Sequence, residues 1–309
     1  MIITVTLNPA IDKTAQVDTM VCNGLNRLDH VLLDVGGKGI NVSKAIKSLG
    51  GESICSGFIA GENGKWIENQ LESLGLKYDF KEVPGNTRMN LKVLDKDMNL
   101  TELNEVGVSI NEDDLEDFKK KLLASVKEND IVVLAGSAPM GVPKDIYKDL
   151  IQLLKEKGAL VILDADGDLF TNGIEAGPYL IKPNKYELCK YFQLSEDISD
   201  ETLIENAKKL LDKGIEYVVI SLGSKGAIFI TKDQVARVPG LKIEAHSAVG
   251  AGDSMVGALA YSIEQKYEFV RLIKWAVATS AGAVMTKGTK APSLDIIEKL
   301  EKEVKIEMI

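Results

Sequence analysis

Cysteine and histidine are scarce in this 309-residue chain: Cys22, Cys55 and Cys189 stand with only His30 and His246. No two of them have metal-ligand spacing, so neither a disulfide framework nor a zinc site is implied. Reduced thiols in a cytoplasmic protein are the simplest reading. Positive charge is also short. With 37 Lys and Arg against 46 Asp and Glu, the formal net charge is −9, and no basic block is dense enough to suit a nucleic acid. No run of about 18 uncharged apolar residues occurs, so no membrane span is expected. The opening Met1-Ile2-Ile3-Thr4-Val5-Thr6-Leu7 lacks the basic start and apolar stretch of a signal peptide and reads as a strand.

What is present is an alternation of amphipathic helices and short apolar strands from about residue 40 onward, the pattern of an α/β layered fold with a mostly parallel sheet. Val42, Ala45, Ile46 and Leu49 repeat at helical spacing and stop at Gly50-Gly51. Leu115, Phe118, Leu122 and Val126 form a second such stripe, with Ser109 and Glu112 spaced as a capping box. Asp130–Gly136, Leu160–Leu163, Tyr179–Ile181 and Tyr217–Ile220 read as buried strands, with helices near 143–157, 184–193 and 200–213 between them. Residues 13–35 and 87–105 break this rhythm with alternating strands and polar turns, as in Val93-Leu94-Asp95-Lys96-Asp97-Met98-Asn99-Leu100. They are expected to form a separate small sheet, placed to act as a lid or a subunit contact.

Several turns carry chemistry. Val249-Gly250-Ala251-Gly252-Asp253-Ser254 sets two glycines and an acid between a strand-like segment and an apolar helix. Small residues and a helix start let backbone N–H groups converge on a phosphate. An acid in that place repels the phosphate, unless its task is to take a proton from an attacking hydroxyl. In Gly36-Gly37-Lys38-Gly39-Ile40-Asn41, three glycines, a point charge and an amide open a helix near Asn41, a set suited to a phosphorylated polyol. It lacks P-loop spacing. Asp12, after the Asn8-Pro9 turn, is placed to hold sugar hydroxyls, and Arg27 and Arg88 are candidates for a phosphate. Asn184 and Glu187 lie three apart at a helix start, adequate for hydrated magnesium, though also suited to capping. The Ser221-Leu222-Gly223-Ser224-Lys225-Gly226 turn and the small residues from Ala276 to Ala283, Ser280 among them, suit a flat nucleotide.

In this order, Gly36 to Asn41, Lys182-Pro183-Asn184 with Glu187, Ser221-Leu222-Gly223 and Val249 to Ser254 resemble the ribokinase-like (PfkB) carbohydrate kinase family. The resemblance covers essentially the whole chain. It implies a three-layer α/β/α sandwich with a mostly parallel central sheet, one kinase domain over 1–309, and a β-sheet lid inserted at about 13–35 and 87–105. Asp253 is then the base, and the amides from Gly250 through Ala251 and Gly252 form the anion hole. Asp12, Arg27, Gly36, Gly37, Lys38, Asn41, Arg88 and Ser137 bind the sugar phosphate. Lys182, Asn184, Ser221, Gly223, Gly226, Gly252 and Ser280 serve ATP, and Asn184 with Glu187 organises Mg²⁺. A monovalent cation and a homodimer through the lid also belong to this picture. The Thr6 to Asp12 opening and the lysine in Gly37-Lys38-Gly39 look like the hexose-phosphate branch. That implies a ketohexose phosphate as acceptor, fructose 1-phosphate ahead of tagatose 6-phosphate.

Two segments depart from the family pattern. Ala135-Gly136-Ser137-Ala138-Pro139 stands where Ser-Gly-Ser-Leu-Pro is frequent, and Asp164-Ala165-Asp166-Gly167 where Asp-x-Ser-Gly is. A dinucleotide-dependent dehydrogenase is disfavoured because no Gly-x-Gly-x-x-Gly turn with a later acid follows the first strand. A non-catalytic sugar-phosphate sensor is disfavoured because Asp253 and Glu187 are both present.

Overall fold

The computed structural model describes residues 1–97, 99–246, 249–286 and 288–309. Its strands are β1 Ile2–Thr6, β2 Ala10–Gln16, β3 Asp29–Gly36, β4 Ser53–Ile59, β5 Lys77–Glu82, β6 Arg88–Leu94 and β7 Leu100–Asn104. They continue with β8 Ile131–Ala135, β9 Leu160–Asp164, β10 Leu180–Ile181, β11 Tyr217–Ser221, β12 Ala227–Ile230, β13 Val235–Val238 and β14 Glu307–Met308. The helices are α1 Lys38–Ser48, α2 Gly61–Ser73, α3 Glu112–Ser125, α4 Ile146–Glu156 and α5 Gly167–Ile174. After them come α6 Lys185–Phe192, α7 Asp200–Lys208, α8 Ala251–Glu264, α9 Phe269–Val284 and α10 Leu294–Glu301.

Ten strands form the main sheet in the order β14-β13-β12-β11-β10-β9-β8-β1-β4-β5. From β5 to β11 every pairing is parallel, and β12, β13 and β14 add an antiparallel edge. The core residues sort by strand alternation. In β8, Val132 and Leu134 pack with α3, α4 and α5, whereas Ile131, Val133 and Ala135 pack with α1, α8 and α9 on the other face. A sheet buried on both faces explains why its strands read as continuous apolar runs.

The second sheet runs β3-β2-β6-β7. Its registers place Asp34, Asp12, Asn90 and Asn104 in one row across the strands and Leu33, Lys13, Leu91 and Leu103 in the adjacent row. Adjacent rows point to opposite faces. The polar row faces the main sheet's cleft, while Leu33 and Leu103 are exposed on the other side. At its root, Ile11 and Val35 join a small cluster with Ile40, Ile59, Ile67 and Leu71, which ties the lid to α1 and α2.

Several local expectations shift. α1 starts at Lys38 and not near Asn41, because Gly37 at φ +125° ends β3 and turns the chain directly into the helix. α3 is capped by Asn111, whose side chain accepts from the Asp114 N–H, and not by Ser109. The 200–213 segment divides into α7 and a short 3₁₀ turn at Leu211–Lys213. The segment 241–246 before the Gly250 turn carries no strand. Within Val93 to Leu100, β6 ends at Leu94 and β7 starts at Leu100, and Met98 lies outside the described residues.

Candidate active site

α8 opens at a left-handed glycine, Gly250 at φ +83°, so the chain turns sharply and the first-turn amides of Ala251, Gly252 and Asp253 have no acceptor within the helix. The helix has no side-chain cap. Asp253 is instead committed elsewhere: its Oδ2 accepts a 2.8 Å hydrogen bond from Asn41 Nδ2, which α1 presents from the opposite end of the sequence. The two helices pack closely because Gly257 lets α8 lie against α1; a Cβ there would come within 2.8 Å of the Val42 carbonyl. Burial pushes the Asp253 carboxyl up to about 6, and nearby Asp164 adds to the rise against the Asn41 amide, Lys38 and Lys182.

Asp164, at the carboxyl end of β9, is 3% exposed and sits between two ammonium groups, 3.5 Å from Lys38 Nζ and 3.4 Å from Lys182 Nζ. Burial alone would raise its pKa, but the two lysines together hold it below the usual carboxylate range. In return Asp164 holds the Lys38 ammonium firmly charged against burial. Lys182 Nζ also lies over the Gly250–Asp253 turn, 3.3 Å from where a Cβ on Gly252 would be. Two cations therefore converge beside a helix N-terminus, where developing phosphoryl charge is best stabilised.

The lid supplies the other wall. Asp12 is buried, its Oδ1 accepting from Asn90 and its Oδ2 from Lys92 at 2.9 Å. Gly36 exists beside it for want of space, since a Cβ would come within 2.6–2.8 Å of the Asp12 carboxylate. Arg88 donates through Nε and Nη2 to the Asn8 carbonyl and through Nη1 to that of Glu105, and burial lowers its pKa from the ordinary guanidinium value. Asp12, Gly37, Lys38, Asn41, Arg88 and Ser137 line one cleft of about 260 Å³. Three buried oxygens in its wall, Thr6 Oγ1, Asn41 Oδ1 and Asn90 Oδ1, have no hydrogen-bond partner among the described residues. Arg27 is exposed on the β2–β3 connection and does not line this cleft.

Sequence reasoning missed Thr6, Asn90, Lys92 and Asp164 as site residues. The available signal was positional for Thr6 and Asp164, at carboxyl ends of central strands, and alternation along β6 for Asn90 and Lys92.

On the nucleotide side, Asn184 and Glu187 form a reciprocal capping box on α6, each side chain accepting from the other's backbone N–H at 2.8 Å. Glu187 is nevertheless near enough for its charge to help hold the Lys38 ammonium protonated. Among the described residues no group of three or more His, Cys, Asp or Glu side chains could hold a metal. The donor set fits an ion that keeps most of its waters and takes its remaining oxygens from phosphates, as Mg²⁺ does. Ser221 ends β11 beside Asn184, and Gly223 turns the chain at φ +59°. Gly226 serves the fold, because a Cβ would fall 1.9 Å from the Val238 carbonyl oxygen. Ser280 is partly exposed on α9.

A buried carboxylate at a helix start with free amides, bonded to a residue of a cleft whose walls hold unpaired polar oxygens, is an arrangement suited to phosphoryl transfer onto a hydroxylated small molecule. The family model "pfkB family carbohydrate kinase" matches residues 5–296, and the chain belongs to that family. It is 35% identical to the 1-phosphofructokinase of Bacillus subtilis (strain 168) over 99% of each chain. It is 32% identical to a Staphylococcus epidermidis tagatose-6-phosphate kinase, again over 99% of each. The structure of Escherichia coli phosphofructokinase-2 in complex with fructose-6-phosphate superposes with a TM-score of 0.91 at 26% identity, over 98% of each chain.

Proposed function

We propose that the chain transfers the γ-phosphoryl group of ATP to the 6-hydroxyl of fructose 1-phosphate, giving fructose 1,6-bisphosphate and ADP. The observation that carries this reading is Asp253: a buried carboxylate at an anion-hole turn, not used as a cap, held toward the cleft by Asn41. The hydroxyl proton passes to an Asp253 oxygen as the new O–P bond forms. The old β–γ bridge bond breaks with its electrons leaving on ADP. At neutral pH a carboxyl titrating near 6 is mostly ionised, yet more basic than an ordinary aspartate. Lys38, Lys182 and the first-turn amides of α8 meet the charge on the transferring group.

Asp12 orients the sugar hydroxyls, and Arg88 with Ser137 lies toward the phosphate already on the sugar. Asn184 and Glu187 would hold Mg²⁺, which when bound neutralises part of the triphosphate charge. A structure of Escherichia coli phosphofructokinase-2 in complex with potassium, 26% identical, supports a monovalent cation as a further ligand. The two lid segments work with the main sheet as one kinase unit over 1–309. The solvent-side row of Leu33, Leu91 and Leu103 suits a second copy of the chain, so the enzyme is a homodimer through its lids. Among the described residues no helix is long and apolar enough to cross a membrane; the enzyme is read as cytoplasmic on its likeness to 1-phosphofructokinases.

Fructose 1-phosphate is placed ahead of tagatose 6-phosphate on the full-length likeness to 1-phosphofructokinases of Bacillus subtilis and Haemophilus influenzae. ADP release measured with fructose 1-phosphate, tagatose 6-phosphate, fructose 6-phosphate and ribose tests the assignment. Fructose 1-phosphate should give the highest kcat/KM by about tenfold or more. A higher value for tagatose 6-phosphate reassigns the acceptor, and no turnover with any of the four rejects the kinase reading.

A further inference from the structure

Lys44 has no part in the chemistry just described, yet its ammonium is among the most enclosed in the molecule, with the side chain 8% exposed. It lies on α1 three residues after Asn41, one turn behind the amide that holds Asp253. Its three donors meet three acceptors: Asp34 Oδ1 at 3.0 Å, the Val35 carbonyl at 2.6 Å and, more loosely, Thr289 Oγ1 at 3.4 Å. Thr289 closes the triangle by donating to Asp34 Oδ2. The ammonium is thus saturated by the protein and has no donor left for a ligand.

The acceptors belong to segments that the active site needs in register. Asp34 and Val35 are the root of lid strand β3, immediately before Gly36, which lies against the Asp12 carboxylate. Thr289 lies beyond α9 against Gly250, its Cα 3.6 Å from where a Cβ on that glycine would be. Asp34 is anchored as an anion: burial opposes ionisation, but Lys44, Thr289 and the Val35 N–H outweigh it and hold the carboxyl below its ordinary value.

We propose that Lys44 is a positioning residue that pins the lid root and the Thr289 loop to α1. It thereby holds the sugar-binding wall in register with the Gly250–Asp253 turn. It touches neither substrate. Its effect falls on the acceptor side and on turnover, because among the described residues none of the hydrogen bonds in this Lys44–Asp34–Thr289 cluster reaches the Ser221–Gly226 segment assigned to ATP. This rests on the kinase reading for its kinetic consequences, whereas the structural pinning can be read without any turnover.

The test compares the full-length parent with Lys44→Met, Lys44→Arg, Asp34→Asn and the Lys44→Met/Asp34→Asn double variant. In Lys44→Met, kcat/KM for the sugar phosphate should fall about tenfold or more, since misplacement near 1 Å at a reacting centre costs up to about 10²-fold. The KM for ATP should stay within about twofold, Lys44→Arg should recover most of the loss, and the double variant should be no worse than Lys44→Met. Amide hydrogen exchange without substrates should rise together in residues 29–36 and 250–256 of Lys44→Met. Parent-like kinetics, an equal loss for ATP and sugar phosphate, multiplicative losses in the double variant, or exchange confined to α1 would each overturn the proposal. A parent that turns over no sugar phosphate rejects the kinase reading alone, and the exchange pattern still decides the pinning.

Discussion

Asp253 joins two opposing demands at one residue. In the proposed reaction its carboxylate must be ionised to accept a proton, yet burial beside Asp164 raises its pKa to about 6. A folded-state pKa above the unfolded value means that the native protein holds this proton more tightly than the unfolded chain. Its stabilising contribution is therefore full below about pH 4 and is lost as pH rises through about 6. Asp253→Asn removes that pH-dependent loss. Relative to the parent, the variant should gain on the order of 2 kcal/mol of unfolding free energy between pH 4 and pH 8, measured by denaturant titration at each pH. A stability difference that stays constant across this range would mean that the carboxyl is not strained by its surroundings. The residue's place in a glycine turn was legible because anion-hole chemistry concentrates in a few adjacent positions. Its bond to Asn41, 212 residues away, and the Lys38–Asp164–Lys182 bridge were not legible, because both depend on which strands become neighbours.

Among the elements, helix stripes and buried strands were readable wherever apolar period and turn residues agreed, as in α1, β8 and β9. Boundaries were less so. α1 begins three residues before Asn41 because a positive-φ glycine, Gly37, can leave a strand and enter a helix without the polar side chain that usually marks a helix start. The lid was legible as an interruption in the rhythm, but its polarity by row was not, since register across β3, β2, β6 and β7 fixes which side chains face the cleft. That row structure leads to the association prediction. Leu33→Glu/Leu103→Glu places charges on the solvent face without touching the Asp12 row, and should shift the sedimentation of the protein from dimer to monomer. A parent that sediments as a monomer, or a variant that remains a dimer, contradicts association through this face.

Across the whole molecule, β1 lies inside the parallel sheet, between β8 and β4, and β8 is the middle parallel strand. The carboxyl ends of β1, β8, β9, β10 and β11 therefore deliver Thr6, Ser137, Asp164, Lys182 and Ser221 toward one edge of the sheet. The small sheet lines the cleft at that edge, and α8 begins beside it. The four motifs looked separate along the chain because the sheet order, and not the sequence order, brings them together. The central claim is that this edge carries out base-assisted phosphoryl transfer through Asp253. Turnover of fructose 1-phosphate by Asp253→Asn, measured beside calorimetric ATP affinity, tests it most directly. A fall in kcat of about 10²–10⁴ with ATP affinity unchanged is the predicted result; kcat near that of the parent would contradict it.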